Sequence, residues 1–340
     1  MAFLADASTP IGDALGQRFV QPRTTIWLFW HDEAAMPPLV AACLESWKVH
    51  NPCHEVVLLT DANVEQYVSD WPEGCAADGT GFESIHKKSN WIRLSLLELR
   101  GGVWVDASSW CTAPIERWVS FDAFKATVWS ARYNAEVYEN WAIASPTPGL
   151  PVMAAWRAQV RRCHAMGRDE YIATAFATHF PELELRWAGK DADSRPVLPY
   201  LWCHLCLLVA LILEPALESS LVALPAKEGP RWRSDHHEIK GEDRSGLGKY
   251  AHADRVASDC ALGGLKPCDY AFLKLTNPER RSVDALLSAG AFATGSVLAD
   301  MAAIAGRLGI TILPPEVDAT AGVLETAPRR EKSLSSKLVN

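Results

Sequence analysis

The sequence lacks any surplus of positive charge: 33 Lys and Arg stand against 41 Asp and Glu, a formal net charge of -8. A nucleic-acid binder displaces counterions with a basic footprint, so this balance excludes that class of partner. A long apolar run is also missing. The longest, Leu201 to Leu213, has 13 residues and contains His204, short of the ~20 that a membrane-crossing helix needs. The nine cysteines are odd in number and show no short, even spacing. That excludes a disulfide framework and fits reduced thiols in the cytoplasm. Residues 1–22 contain Asp6 and Asp13 and have neither a basic start nor an apolar stretch, so they read as a loosely ordered leader and not as a signal peptide. No internal repeat is visible. The expectation is a soluble, cytoplasmic chain that meets a membrane only peripherally.

What the sequence does hold is apolar material and tryptophan. Hydrophobic residues make up 49% and charged residues 22% of the 340, enough for a real core in one large α/β domain or two smaller ones. Fourteen Trp outnumber ten Phe and seven Tyr. A set led by Trp serves either as bulky core or as flat apolar plates for a ligand with C–H faces, such as a sugar.

Along the chain, the apolar runs at 26–30 and 55–60 read as buried strands. Between them Pro37-Pro38 opens a helix that Asn51-Pro52 stops, and Asp61 is the expected N-cap of a short helix after the second strand. This is the βαβ grammar of a parallel sheet flanked by helices. Ile85, Ile92, Leu96 and Leu99 then form a helical stripe that leaves Lys87, Lys88, Arg93 and Glu98 off it. Gly101-Gly102 ends this helix, Val103-Trp104-Val105 is a short strand, and Asp106 follows at its carboxyl end, where open α/β sheets bind ligands. Strands are expected at 126–130 and 141–145, and helices at 152–166, 200–213 and 282–308. Residues 227–255 carry 13 charged side chains in 29, a connection or a lid. From 314 the chain reads as a flexible tail.

The run Ser89-Asn90-Trp91-Ile92-Arg93, followed by Gly101-Gly102-Val103-Trp104-Val105-Asp106-Ala107-Ser108 and Pro114, resembles the capsular polysaccharide synthesis protein family and the DXD-containing sugar transferases of glycosyltransferase family 32. Upstream the resemblance takes in Trp30, Met36-Pro37, Ser46-Trp47 and Asn51-Pro52. Downstream it takes in residues 140–145, 200–204 and Lys274-Leu275-Thr276. It implies a GT-A-type α/β fold over residues 23–280, with a helical extension at 281–313. It also implies transfer of a sugar from a nucleotide-sugar donor to a glycan or polysaccharide acceptor, with retention. The family's two aspartates supply hard oxygen ligands for Mn²⁺ or Mg²⁺, but here Ser108 stands at the second position and Asn90 replaces an Asp after Ser89.

Carried over position by position, the resemblance makes Asp106 the catalytic residue and, with Ser108, the metal site. Asn90, Arg93, Gly101, Gly102, Ser108, Asn140, His204 and Lys274 become the donor-binding set. Each has a plainer alternative. Asp106 caps a turn, Arg93 pairs with Glu98, Asn140 holds a turn before its strand, His204 is a core histidine, and Lys274 is a solvated lysine. Cys203 and Cys206 read as buried thiols, Asp235-His236-His237-Glu238 as solvated, and Trp47, Trp91 and Trp156 as core. A catalytically silent nucleotide-sugar or glycan binder is the alternative function, motivated by Asn90 and Ser108.

Overall fold

The first apolar run forms β1 (Thr25–Phe29), and Pro38 starts α1 (Pro38–His50), which leads to β2 (Glu55–Leu59). A computed structural model of the chain describes residues 23–132, 136–179, 201–225, 261, 272–275, 277–307 and 309. The expected leader, the charged segment at 227–255 with Asp235-His236-His237-Glu238, and the tail from 314 lie outside the described residues.

The chain continues through α2 (Ile85–Leu99), β3 (Gly102–Val105), β4 (Ser109–Cys111), β5 (Ala126–Arg132), β6 (Glu136–Ser145), α3 (Pro151–Met166) and α4 (Arg168–His179). After these come α5 (Trp202–Leu213), β7 (Leu221–Pro225), β8 (Phe272–Lys274), α6 (Asn277–Ser288) and α7 (Val297–Arg307). Six strands pair in the order β2-β1-β3-β6-β5-β7. Three of the pairings are parallel, and β6 runs antiparallel to both its neighbours. This mixed, mostly parallel sheet flanked by helices is consistent with the GT-A-like α/β architecture expected from the sequence.

β3 lies in the middle of the sheet and is buried along its whole length, which is why it reads as a continuous apolar run without alternation. One face packs under α2, α3 and α5 through Trp91, Ile92, Trp156 and Leu205. The other packs on α1 and a group of tryptophans through Trp47, Trp118, Trp129 and Trp141. A third apolar cluster joins Leu39, Ala42 and Cys43 of α1 to Val283 and Leu287 of α6 and to Val297, Leu298 and Met301 of α7.

Several expectations need correction. Asp61 caps nothing; Asn63 stands at the N-cap of the short turn of helix 64–66, and the Asp61 carboxylate is an ion-pair partner instead. The stripe on α2 is exposed at both ends, at Ile85 and Leu99, and buried at Ile92 and Leu96. Its off-stripe cations are buried too: Lys88 pairs with Asp61 and Arg93 with Asp106, while Lys87 pairs with the exposed carboxylate of Glu83. The helical stretch expected at 282–308 holds two helices, α6 and α7, separated by a turn that includes the positive-φ glycines Gly290 and Gly295.

Candidate active site

α2 begins at Ser84, whose side chain accepts from the Lys87 backbone N–H, and ends at Arg100, followed by Gly101 in the left-handed region at φ +67. The helix therefore turns straight back into β3, and Arg93 lies across from the residue that leaves the strand, Asp106. Arg93 Nη2 donates to Asp106 Oδ1 at 3.0 Å and to Ser89 Oγ at 3.3 Å; Nη1 donates to the Asn140 carbonyl. The guanidinium lies 5.1 Å from the Trp104 ring, whose indole N–H donates to Asp106 Oδ1 at 3.2 Å. Asn140, in β6, donates from Nδ2 to Asn90 Oδ1 at 3.2 Å while its backbone carbonyl accepts from Arg93.

The second cation arrives from the far end of the sequence. Asp106 and Ser109 close a tight turn, and β4 then pairs antiparallel with β8 in the register Ser109–Lys274 and Cys111–Phe272. Side chains two apart share a strand face. Phe272 therefore enters the tryptophan group, with ring centroids 5.3–5.9 Å from Trp47, Trp118, Trp129 and Trp141, and Lys274 points to Asp106. Lys274 Nζ stands 2.5 Å from Asp106 Oδ2 and 3.3 Å from Ser108 Oγ. The resemblance residues on α1 hold the same strand: Trp47 Nε1 donates to the Ser109 carbonyl, and Ser46 Oγ accepts from the Cys111 N–H. Asn51, just beyond the helix, accepts from the Ile115 N–H.

The electrostatics follow from this geometry. Burial opposes ionisation of Asp106, but Lys274 and Arg93 together outweigh it and hold the carboxyl below its usual range. Burial pushes the Lys274 ammonium below the ordinary lysine value, only partly offset by Asp106. Arg280 on α6, which the sequence pattern did not single out, lies 5.6 Å from the Trp30 ring, and its charge is felt at Lys274. A signal for it was present, since Glu279-Arg280-Arg281 comes just after Lys274-Leu275-Thr276. A further missed feature is the buried pair of Lys88 with Asp61 at 2.6 Å, just beyond the carboxyl end of β2.

The structure thus brings together Asp106, Ser108, Arg93 and Lys274, with Asn140 bonded to Arg93 and Asn90 to Asn140. It does not bring in Gly101 and Gly102, which is a correction. Gly102 opens β3, roughly 13 Å of extended chain from Asp106, and Gly101 precedes it. A Cβ on Gly102, at φ +101, would lie 2.5 Å from the Thr25 carbonyl oxygen, and one on Gly101 2.9 Å from that of Ser145. Their close backbone approach is to neighbouring strands. His204 also stands apart. Its Nε2 is 3.6 Å from Glu139 Oε2, both side chains buried between α5 and β6. The alternative pairing of Arg93 with Glu98 is not formed; Glu98 bonds Arg157 at 2.8 Å. Cys203 and Cys206 are buried thiols as expected.

A hard divalent ion at a phosphate site is held by one or two protein carboxylates whose oxygens are free to bind it, with water and phosphate oxygens completing the shell. Here one Asp106 oxygen already accepts from Arg93 and Trp104, and the other from Lys274. Ser108 Oγ is itself within reach of the same ammonium. Among the described residues no three His, Cys, Asp or Glu side chains gather where they could hold a metal ion. This donor set does not fit a resident divalent cation.

An aspartate paired with two cations thus stands at the carboxyl end of a central strand in an α/β protein. Residues 14–164 match the family model described as capsular polysaccharide synthesis protein, which bears out the resemblance over that span. No curated protein matches the sequence. Among solved structures, the chain is similar to the PaToxG glycosyltransferase at 11% identity, covering 84% of this chain and 87% of that one, with a TM-score of 0.35. It is also similar to the glycosyltransferase GlyE of Streptococcus pneumoniae TIGR4, at 9% identity and a TM-score of 0.39. That match covers 83% of this chain but only 60% of the pneumococcal one. Both are distant likenesses.

Proposed function

We propose that the protein is a glycosyltransferase that moves a sugar from a nucleotide-sugar donor to a glycan or polysaccharide acceptor, with retention of configuration. The observation that carries this reading is Asp106 at the carboxyl end of β3, gripped by Arg93 and Lys274; the family match over 14–164 supports the same class. In the reaction the bond from the anomeric carbon to the donor diphosphate breaks, and its electron pair leaves on the phosphate oxygen. The acceptor hydroxyl oxygen bonds to that carbon on the same face, and its proton passes to the departing phosphate. Negative charge grows on the leaving group, and fixed cations stabilise it most where water is scarce. Arg93 and Lys274 have that role, Asp106 sets their positions and faces the ribose-diphosphate region, and Ser108 offers a hydroxyl. Asn140 positions Arg93 through its backbone carbonyl, and Asn90 accepts from the Asn140 amide.

A cytoplasmic setting is part of the proposal; burial keeps the thiols of Cys43 and Cys111, pushed up to about 12, and of Cys203, pushed up to about 11, protonated and unreactive. No helix among the described residues is long and apolar enough to cross a membrane; association with a membrane surface, close to a polysaccharide acceptor, is part of the proposal.

The test is release of nucleoside diphosphate from a panel of UDP- and GDP-sugars. We expect turnover with one donor class, and at least a 100-fold loss in Asp106→Asn, which keeps the side-chain volume and removes the charge. Wild-type turnover in that variant would remove Asp106 from the mechanism. A second reading, a silent nucleotide-sugar binder, is favoured by the engagement of both Asp106 oxygens with cations. Binding without hydrolysis or transfer on any donor decides for it.

A further inference from the structure

The family resemblance implies a divalent ion at Asp106 and Ser108, and the side chains there do not fit one. We propose that the Lys274 ammonium is the resident cation of this site in place of a metal ion, so that the donor diphosphate binds metal-free against Lys274 and Arg93. This rests on the nucleotide-sugar reading above and specifies how that donor is held.

Position is the first argument. Lys274 Nζ bridges the two side chains that would be the metal ligands, 2.5 Å from Asp106 Oδ2 and 3.3 Å from Ser108 Oγ. An ammonium at that point supplies a compact positive charge between the oxygens.

Tethering is the second. Lys274 does not reach in from a free loop. Its strand is paired to β4, the Leu275 N–H donates to the Ser108 carbonyl at 2.9 Å, and Phe272 on the same strand face is locked among four tryptophans. A divalent ion would have to expel an ammonium that the backbone returns to the same place. It would also have to remain beside Arg93, whose guanidinium holds the other carboxylate oxygen.

Charge is the third. One carboxylate against Lys274 and Arg93 leaves these three side chains one positive charge in excess; Arg280, whose charge Lys274 also feels, has Asp284 beside it. Both cations are mostly buried, with side chains 12% and 5% exposed for Lys274 and Arg93, so salt screens them weakly. Such a cluster attracts a multiply charged anion and repels a second cation. A two-aspartate site has the opposite balance and needs its metal.

The experiment is calorimetric titration of the full chain with UDP and GDP at pH 7.5, in EDTA and then with Mn²⁺ or Mg²⁺ added. The expected result is binding of at least one nucleotide in EDTA, with a Kd that changes less than threefold when metal is supplied. Lys274→Ala, checked for wild-type unfolding temperature, weakens binding in EDTA at least 10-fold, and Lys274→Arg retains most of it. Nucleotide binding by the wild type only when Mn²⁺ or Mg²⁺ is present overturns the inference and leaves the transferase reading standing. Unchanged affinity in a folded Lys274→Ala protein also overturns it. Failure of both nucleotides to bind under every metal condition overturns the nucleotide-sugar reading itself, and this inference with it. Should Lys274→Ala fail to fold, the wild-type titrations in EDTA and in metal decide by themselves.

Discussion

At Arg93 a single guanidinium satisfies four different demands: the Asp106 carboxylate, the Asn140 carbonyl, the Ser89 hydroxyl and the face of Trp104. A lysine carries the same charge but has neither the planar fork nor the stacking surface. Arg93→Lys is therefore expected to lower kcat/KM by about 10–100-fold, the loss of one or two charge-assisted hydrogen bonds, while the circular dichroism spectrum stays unchanged. Initial rates on the active donor check this. Lys274 imposes a limit on the alkaline side. Burial holds its proton less firmly than an ordinary lysine's, so donor affinity falls with rising pH before the usual lysine range is reached, and titrations between pH 7 and 10 reveal where. Asp106 was readable from its neighbours because Gly-Gly, an apolar run and a carboxylate mark a strand end. That its two oxygens were already engaged was not readable, since one partner lies 13 and the other 168 residues away.

Among the elements, the short strand β8 determines whether the site exists. Its three residues have little pairing energy of their own, and Phe272 supplies the anchor by filling the space among Trp47, Trp118, Trp129 and Trp141. Phe272→Ala leaves a cavity and is expected to cost about 3–5 kcal/mol, measured by urea denaturation. Because Lys274 is carried on the same strand, the surviving folded protein should also show a raised donor KM, which a purely local core defect would not produce. The helix α2 shows a different limit. Its 3.6 periodicity was legible, but of the four stripe residues only Ile92 and Leu96 are buried, and eight of the ten buried residues of α2 lie off the stripe. Lys88 and Arg93 are buried because partners wait for them, Asp61 and Asp106, while Lys87 meets the exposed carboxylate of Glu83.

Across the whole molecule, burial sets how stability depends on pH, and Asp284, pushed up to about 6 by burial, acts against the histidines as pH falls. His164, on α3, lies among the rings of Phe82, Trp91 and Trp202, and burial, reinforced by nearby Lys87 and only partly opposed by Glu83, lowers it to about 4. Between the unfolded value near 6.5 and that folded value, the unfolded chain binds a proton that the folded one does not. Stability therefore falls as pH drops through this window, on the order of 2–3 kcal/mol in all. His50, lowered by burial as well, acts in the same sense. Asp106, held below the usual carboxylate range, adds a loss that begins near its unfolded value of about 3.9 and is complete below its folded value. Urea midpoints at pH 7.5 and 4.5 should show the decline, and His164→Phe should flatten it; an equal decline in that variant would clear His164 of the effect.

The sequence by itself determined the alternation of strands and helices, the end of α2 at Gly101, the burial of Trp47, Trp91 and Trp156, and the place of Asp106 at a strand's carboxyl end. Those follow from local rules of periodicity, capping and apolar runs, which need no knowledge of distant residues. Only the tertiary structure decided that Gly101 and Gly102 approach neighbouring strands, that His204 faces Glu139, and that Lys274 stands where a metal ligand set was expected. Each depends on which strands become neighbours, and that is set by long-range pairing and burial. The fourteen tryptophans divide on the same ground. Those described are buried except Trp30 and Trp71, which are partly exposed, and four of the buried ones form the socket for Phe272, whose strand presents Lys274 to Asp106.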